Sequence, residues 1–199
     1  MDYKIRQAHL SDLPYIYDIC LKTGFNGKDT SGMISDPLII GQYFAAPYLH
    51  FEIDTCFVVD KNSIPFGYIL GVSSTEKYNQ WLNTYWLPIL RNRYPGTLSL
   101  KSNFEKILID IINQDAVLEK FLIDYPSHLH IDLLPLVQRK GFGQQLMAAF
   151  MEKLKEKGSA GLHFGVGAEN INAIKFYKKM GFLEIKNISG IIFMGMKFE

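Results

Sequence analysis

The chain predicts an α/β (α+β) fold, a mixed and mainly antiparallel central sheet flanked by helices, and three features carry that expectation. From residue 128 onward the pattern runs strand, helix, strand, helix and then two more strands, an order that calls for a right-handed crossover over a sheet. Further upstream, the β-rich runs Thr55 to Val59 and Ile64 to Val72 flank Asp60-Lys61-Asn62-Ser63 and read as a hairpin. Finally, 199 residues of which 48% are hydrophobic and 21% charged suffice for one good core. A single domain over residues 1–199 is therefore expected.

The elements follow in order. Tyr3 to Gln7 is a short strand. Ser11-Asp12 starts a helix with Leu13, Ile16, Tyr17, Cys20 and Leu21 on one face and Gly24 as its stop. Residues 25–36, rich in Gly, Asn, Asp and Ser, form a loop. A weak helix over Pro37 to Phe44 is closed by Ala46-Pro47. After the hairpin, Tyr78 to Asn92 is helical in spacing, with a kink or break expected at Pro88. Phe104 to Ile112 and Ala116 to Ile123 are two further helices. His128 to Leu134 is a strand, Gly141 to Lys155 a helix, Leu162 to Val166 a strand and Asn170 to Met180 a helix stopped by Gly181. Phe182 to Lys186 and Ile191 to Phe198 are the last strands.

Bulk charge excludes some partners. A formal charge of +1 gives no reason to expect nucleic acid or an anionic membrane. No run approaches the ~18 apolar residues of a membrane span, and the first residues lack a signal peptide's apolar stretch, so a cytoplasmic protein is the default. Cys20 and Cys56 share no motif spacing and read as buried free thiols.

The most informative stretch is Leu133-Leu134-Pro135-Leu136-Val137-Gln138-Arg139-Lys140-Gly141-Phe142-Gly143. An apolar strand ends, turns at a proline and gives way to a helix through two glycines. Free N–H groups and the positive end of the helix dipole then converge on one point, which suits a phosphate. No Gly-Lys-Ser/Thr follows, and Leu146 stands where a dinucleotide fingerprint needs its third glycine.

The segment resembles the pyrophosphate loop of the GNAT acetyltransferase superfamily, Gln/Arg-x-x-Gly-x-Gly/Ala, here Gln138, Gly141 and Gly143. The family's second signature, Asn-x-x-Ala-x-x-aromatic-Tyr-x-x-x-Gly-Phe, is met by Asn170, Ala173, Phe176, Tyr177, Gly181 and Phe182. Phrases such as Cys56 to Asp60, Gly67 to Gly71 and His128 to Asp132 are most similar to the acetyltransferase-like domain of O-GlcNAc hydrolases and its free-standing bacterial relatives. The resemblance implies a GNAT-type acyl-CoA N-acyltransferase fold. It covers nearly the whole chain except about residues 73–125, where this sequence carries a helical insertion.

The same resemblance implies transfer of the acetyl group of acetyl-CoA to an amine, on a small molecule or a protein, in a ternary complex. The alternative is a binding module that keeps coenzyme A affinity without turnover. Backbone N–H groups from Gln138 through Arg139, Lys140, Gly141 and Phe142 to Gly143 would hold the pyrophosphate. The pantetheine arm would pair with the end of the 128–134 strand, leaving the N–H of Leu133 or Leu134 near the thioester oxygen. Asn170 matches the pantetheine-amide ligand, Phe176 accompanies it, and Tyr177 matches the general acid, with a packing tyrosine as its alternative. Arg139 stands where the family frequently has glycine, so a positive φ there would strain the loop.

His128, His130 and Asp132 alternate along one strand and share a face. His130 or Asp132 is the candidate general base; satisfied structural polar groups are an equal reading. A binuclear metal site on this trio is a lesser one, and no metal is expected. The acceptor site is expected from Phe25 to Phe51 and from the insertion around Trp81, Tyr85 and Trp86. A homodimer is compatible with the sequence.

Overall fold

The computed structural model describes residues 2–96 and 100–198. Its seven-stranded sheet is assembled from β1 (Lys4–Gln7), β2 (Phe57–Lys61), β3 (Ile64–Val72), β4 (Ser127–Leu133), β5 (Gly161–Gly167), β6 (Leu183–Ile188) and β7 (Ile191–Lys197), in the order β1-β2-β3-β4-β5-β7-β6. Only the β4–β5 contact is parallel; every other neighbour is antiparallel. The mixed sheet agrees with the sequence-based expectation.

Strand periodicity sorts the core into two layers. Val58, Tyr68, Leu70 and Val72 face one side, while their neighbours Val59 and Ile69, with Leu129, Leu162 and Phe164, face the other. The first layer is closed by α1 (Leu13–Thr23), α2 (Ile39–Phe44), α3 (Ala46–Glu52), α4 (Thr75–Trp81), α5 (Leu87–Arg93) and α6 (Asn103–Ile112). The second is closed by α7 (Phe142–Glu156) and α8 (Ile171–Lys179), with Leu146, Met147, Phe150 and Leu154 of α7 fully buried. No helix among the described residues is long and apolar enough to cross a membrane.

Three expectations need correction. Ala46-Pro47 opens α3 instead of closing a helix, because a proline in the first turn loses no helical hydrogen bond. Pro88 does not break the 78–92 segment. It lies in the first turn of α5, and a π-helical stretch over Leu82–Trp86 joins α4 to α5. Ala116 to Ile123 forms only a short 3-10 turn, Lys120–Leu122. The Asn83 side-chain amide takes the segment's backbone at Ala116, accepting from its N–H at 2.8 Å and donating to its carbonyl at 3.0 Å.

Candidate active site

Beyond Leu133 the chain turns through Pro135–Val137, and Gln138 fastens the loop to the strand by donating Nε2–H to the Leu133 carbonyl at 2.8 Å. Arg139 (φ 58) and Gly141 (φ 84) both adopt left-handed backbone. Glycine does so freely, whereas for Arg139 it costs about 1–2 kcal/mol. In α7 the Gln145 N–H is bonded back to the Gly141 carbonyl at 3.1 Å. The N–H groups of Gly141, Phe142, Gly143 and Gln144 precede it and have no partner within the helix. A Cβ on Gly143 would lie 3.3 Å from Phe176 and 3.4 Å from Leu133, so this residue lets α7, α8 and β4 meet. The Gln138 N–H is already given to the Pro135 carbonyl at 3.3 Å. The available donors therefore begin at Arg139.

Beside this loop the sheet opens. β4 and β5 pair only at Ser127–Leu162 and His128–His163 and then diverge. The Leu134 N–H donates to the Phe66 carbonyl at 2.9 Å, which sets the parity of the β3–β4 ladder. Residues 130, 132 and 134 turn their backbone toward β3, so Ile131 and Leu133 turn theirs into the opening. Leu134 is thus corrected: its N–H is spent, and of the pair only Leu133 points a free N–H into the gap. The opening is a cleft of about 680 Å³ running between Leu129–Leu133 on one wall and Phe164–Gly167 on the other.

Side chains converge where β4 meets α1 and α2. Asp132 accepts a hydrogen bond from the buried Tyr68 hydroxyl at 2.6 Å. Burial raises the Asp132 pKa to about 6, although the hydrogen bond from the Tyr68 hydroxyl favours its ionised form. His130 sits edge-on to Phe44 (5.2 Å) and Tyr48 (5.4 Å), and burial lowers its pKa to about 4, so it is neutral near pH 7. The Tyr177 ring lies 4.3 Å from Phe164 and 5.2 Å from Phe176, and burial raises its pKa, keeping the phenol protonated. His128 contacts Tyr48 Oη at 2.8 Å through Nε2 and Thr75 Oγ1 at 2.9 Å through Nδ1. With both nitrogens occupied it cannot join a metal trio. No group of three or more His, Cys, Asp or Glu side chains able to hold a metal ion occurs among the described residues.

Known proteins share this architecture. Residues 109–182 match the Acetyltransferase (GNAT) family. The crystal structure of SsHAT superposes with a TM-score of 0.93 and 32% identity, over 99% of this chain and 98% of that one. The protein belongs to the GNAT acetyltransferase family. Protein O-GlcNAcase of Rattus norvegicus is 28% identical over 191 residues, 94% of this chain, and the Mus musculus protein matches equally. The chain spans only 21% of the length of these relatives. The PaiA N-acetyltransferase of Thermoplasma acidophilum, solved in complex with coenzyme A, aligns over the whole chain at 14% identity and a TM-score of 0.58, a likeness of fold alone.

Within the GNAT framework the cleft brings together Leu133, Gln138, Arg139, Gly141, Gly143, Asn170, Phe176, Tyr177, His130 and Asp132. Lys140 and Phe142 do not line it. The Phe142 ring packs against Tyr3 at 5.7 Å and the Lys140 ammonium lies 5.9 Å from the same tyrosine, so Phe142 can offer the cleft only its N–H. Asn170 caps α8, its Oδ1 accepting from the Ala173 N–H at 3.2 Å, which leaves its NH2 for other partners.

Sequence reasoning did not single out Cys20, Thr23, Gln144 and Asn172 as site residues, yet they also line the cleft, as does Ile40 from the 25–51 segment. Their only signal was position: Cys20 and Thr23 end α1 just before the 25–36 loop, while Gln144 and Asn172 lie in the first turns of α7 and α8. From that loop Asn26 and Gly27 reach the cleft, and the Asn26 side chain packs against the bare backbone of Gly167. Trp81, Tyr85 and Trp86 are placed elsewhere. The two tryptophans stack at 5.9 Å, Trp86 Nε1–H donates to the Gln42 carbonyl at 2.8 Å, and Tyr85 is 65% exposed. The insertion acts on the site indirectly. Buried Glu105 accepts from Ser35 N–H (2.6 Å), Ser35 Oγ–H (3.1 Å) and Lys101 N–H (2.6 Å), while Ser102 Oγ–H donates to the Met33 carbonyl at 2.6 Å. These bonds hold the loop that roofs the cleft.

Proposed function

We propose that the protein is an acetyl-CoA-dependent N-acetyltransferase that moves an acetyl group directly to a primary amine. One observation carries this reading: a single cleft joins a helix-start anion cradle, an unpaired strand edge and a partly buried carboxylate that lacks a cationic partner among the described residues. The elongated shape of acetyl-CoA fits that sequence of features. Its diphosphate matches the N–H groups from Arg139 to Gln144 and the Arg139 charge. Its amide-bearing arm matches the free backbone of Ile131 and Leu133 and the Asn170 amide. Bound there, acetyl-CoA would supply an acetyl group activated as a thioester, whose carbonyl carbon would exchange its C–S bond for a C–N bond while coenzyme A leaves as the thiol.

The residues around it then divide the proton work. The Leu133 N–H is aimed at developing negative charge on the carbonyl oxygen, where one such donor contributes about 3 kcal/mol. Asp132, with a pKa of about 6, is ionised near neutral pH and takes the ammonium proton that must leave before the amine can attack. Tyr177 retains its proton and is the donor to the departing sulfur. His130, uncharged and enclosed by aromatic rings, shapes the wall and is the less suitable base, since a pKa of about 4 makes it the weaker proton acceptor.

The test pairs thermal shift with thiol release. Acetyl-CoA should raise the melting temperature, free thiol should appear on adding a primary amine, and Tyr177→Phe should lower turnover more than cofactor affinity. Stabilisation without release for any amine would leave a coenzyme A-binding module. Absence of stabilisation would remove the cofactor assignment as well.

A further inference from the structure

The charge inventory of the cleft speaks to the acceptor. Among the described residues lining it, Asp132 is the one carboxylate and Arg139 the one cation, the latter in the loop assigned to the diphosphate. The groups around Asp132 are neutral: the Tyr68 and Thr23 hydroxyls, the Cys20 thiol, raised far by burial, and the His130 ring. One ammonium is therefore matched by one carboxylate. A second cation carried into the cleft would meet no opposite charge there and would lose its hydration uncompensated.

The surroundings are apolar. Ile40, 2% exposed, and Phe44 come from α2, and Phe44 stands edge-on to His130 at 5.2 Å. The Thr23 hydroxyl donates to the Ile19 carbonyl at 2.7 Å. The amide side chains that line the cleft, Asn26, Gln138, Gln144, Asn170 and Asn172, carry no charge.

Building on the N-acetyltransferase reading above, we infer that the acceptor is a primary amine with a single cationic centre and an apolar or aromatic body, seated between Asp132 and the Ile40–Phe44 wall. Polyamines and lysine-rich peptide segments are disfavoured by the same geometry. The ammonium proton passes to Asp132, the nitrogen lone pair forms the C–N bond as the C–S bond breaks, Tyr177 protonates the departing thiolate and regains the second N–H proton, and the amide product is uncharged. It thereby loses its attraction to the carboxylate.

Thiol release from acetyl-CoA, measured with 2-phenylethylamine, hexylamine, spermidine and a lysine-rich peptide, tests this. The two monoamines should exceed spermidine and the peptide in kcat/KM by about tenfold or more. Phe44→Ala should lower kcat/KM for 2-phenylethylamine while the acetyl-CoA thermal shift persists. Phe44→Asp, which adds a second carboxylate, should move preference toward spermidine. If spermidine or the peptide is the better substrate of the parent protein, the inference is overturned while the N-acetyltransferase reading stands. If no amine releases thiol although acetyl-CoA stabilises the fold, the catalytic reading fails and takes this inference with it.

Discussion

The two ends of the cleft are built from different materials. The end proposed for the cofactor is backbone: a left-handed turn at Gly141, the first N–H groups of α7 and the unpaired edge of β4. The end proposed for the acceptor is side chain: Asp132, Tyr68, Thr23, His130 and Phe44, gathered from β4, β3, α1 and α2. A site made of backbone tolerates varied side chains provided that the local geometry is kept. A site made of side chains depends on every element that positions them, including a helical insertion none of whose described residues lines it.

Substitutions can break that contrast. The largest loss is expected from Asp132→Asn, which keeps the shape and removes the proton acceptor: kcat/KM for an amine should fall roughly 10²–10⁴-fold with acetyl-CoA affinity nearly unchanged. Equal activity would exclude Asp132 as base. Gly141→Glu attacks the other end by placing a carboxylate at a left-handed position facing the diphosphate. Isothermal titration should show acetyl-CoA affinity reduced by about 100-fold or more, and parent-like affinity would detach the loop from the cofactor.

Glu105→Ala probes the remote brace. It strands the Ser35 and Lys101 N–H groups, which costs about 1–3 kcal/mol of stability. It should also raise the KM for the amine several-fold without altering acetyl-CoA binding. A change in stability alone would show that the brace does not reach the acceptor. Tyr68→Phe is the mildest change. The Tyr68 hydroxyl favours ionised Asp132, so its loss should raise that pKa above about 6. The acid limb of the kcat/KM profile should then move to higher pH. In the parent, activity rises as pH climbs through about 6 because only the ionised carboxylate accepts a proton. An unmoved limb in Tyr68→Phe would mean that another group titrates there.

Arg139 belongs to neither side cleanly. It adopts the left-handed backbone named above as a source of strain, so the chain tolerates that strain at the start of the loop proposed to hold the diphosphate. Leu134 shows the opposite case: its place at the strand end made it a candidate donor, and only the ladder with Phe66 revealed that its N–H was taken.

What the sequence determined by itself was local. Spacing of Gln138, Gly141 and Gly143 specified the turn and the start of α7, alternation along 128–132 put His128, His130 and Asp132 on one face, and strand and helix periods gave the mixed sheet. These follow from backbone preferences that act over a few residues. Only the tertiary structure decided which of the three polar residues is free to act, since His128 is consumed by Tyr48 and Thr75 from distant segments. It also decided that Trp81 and Trp86 support α2 from behind instead of walling the cleft. Burial and hydrogen-bond partnership depend on elements far apart in the chain, and no short-range pattern encodes them.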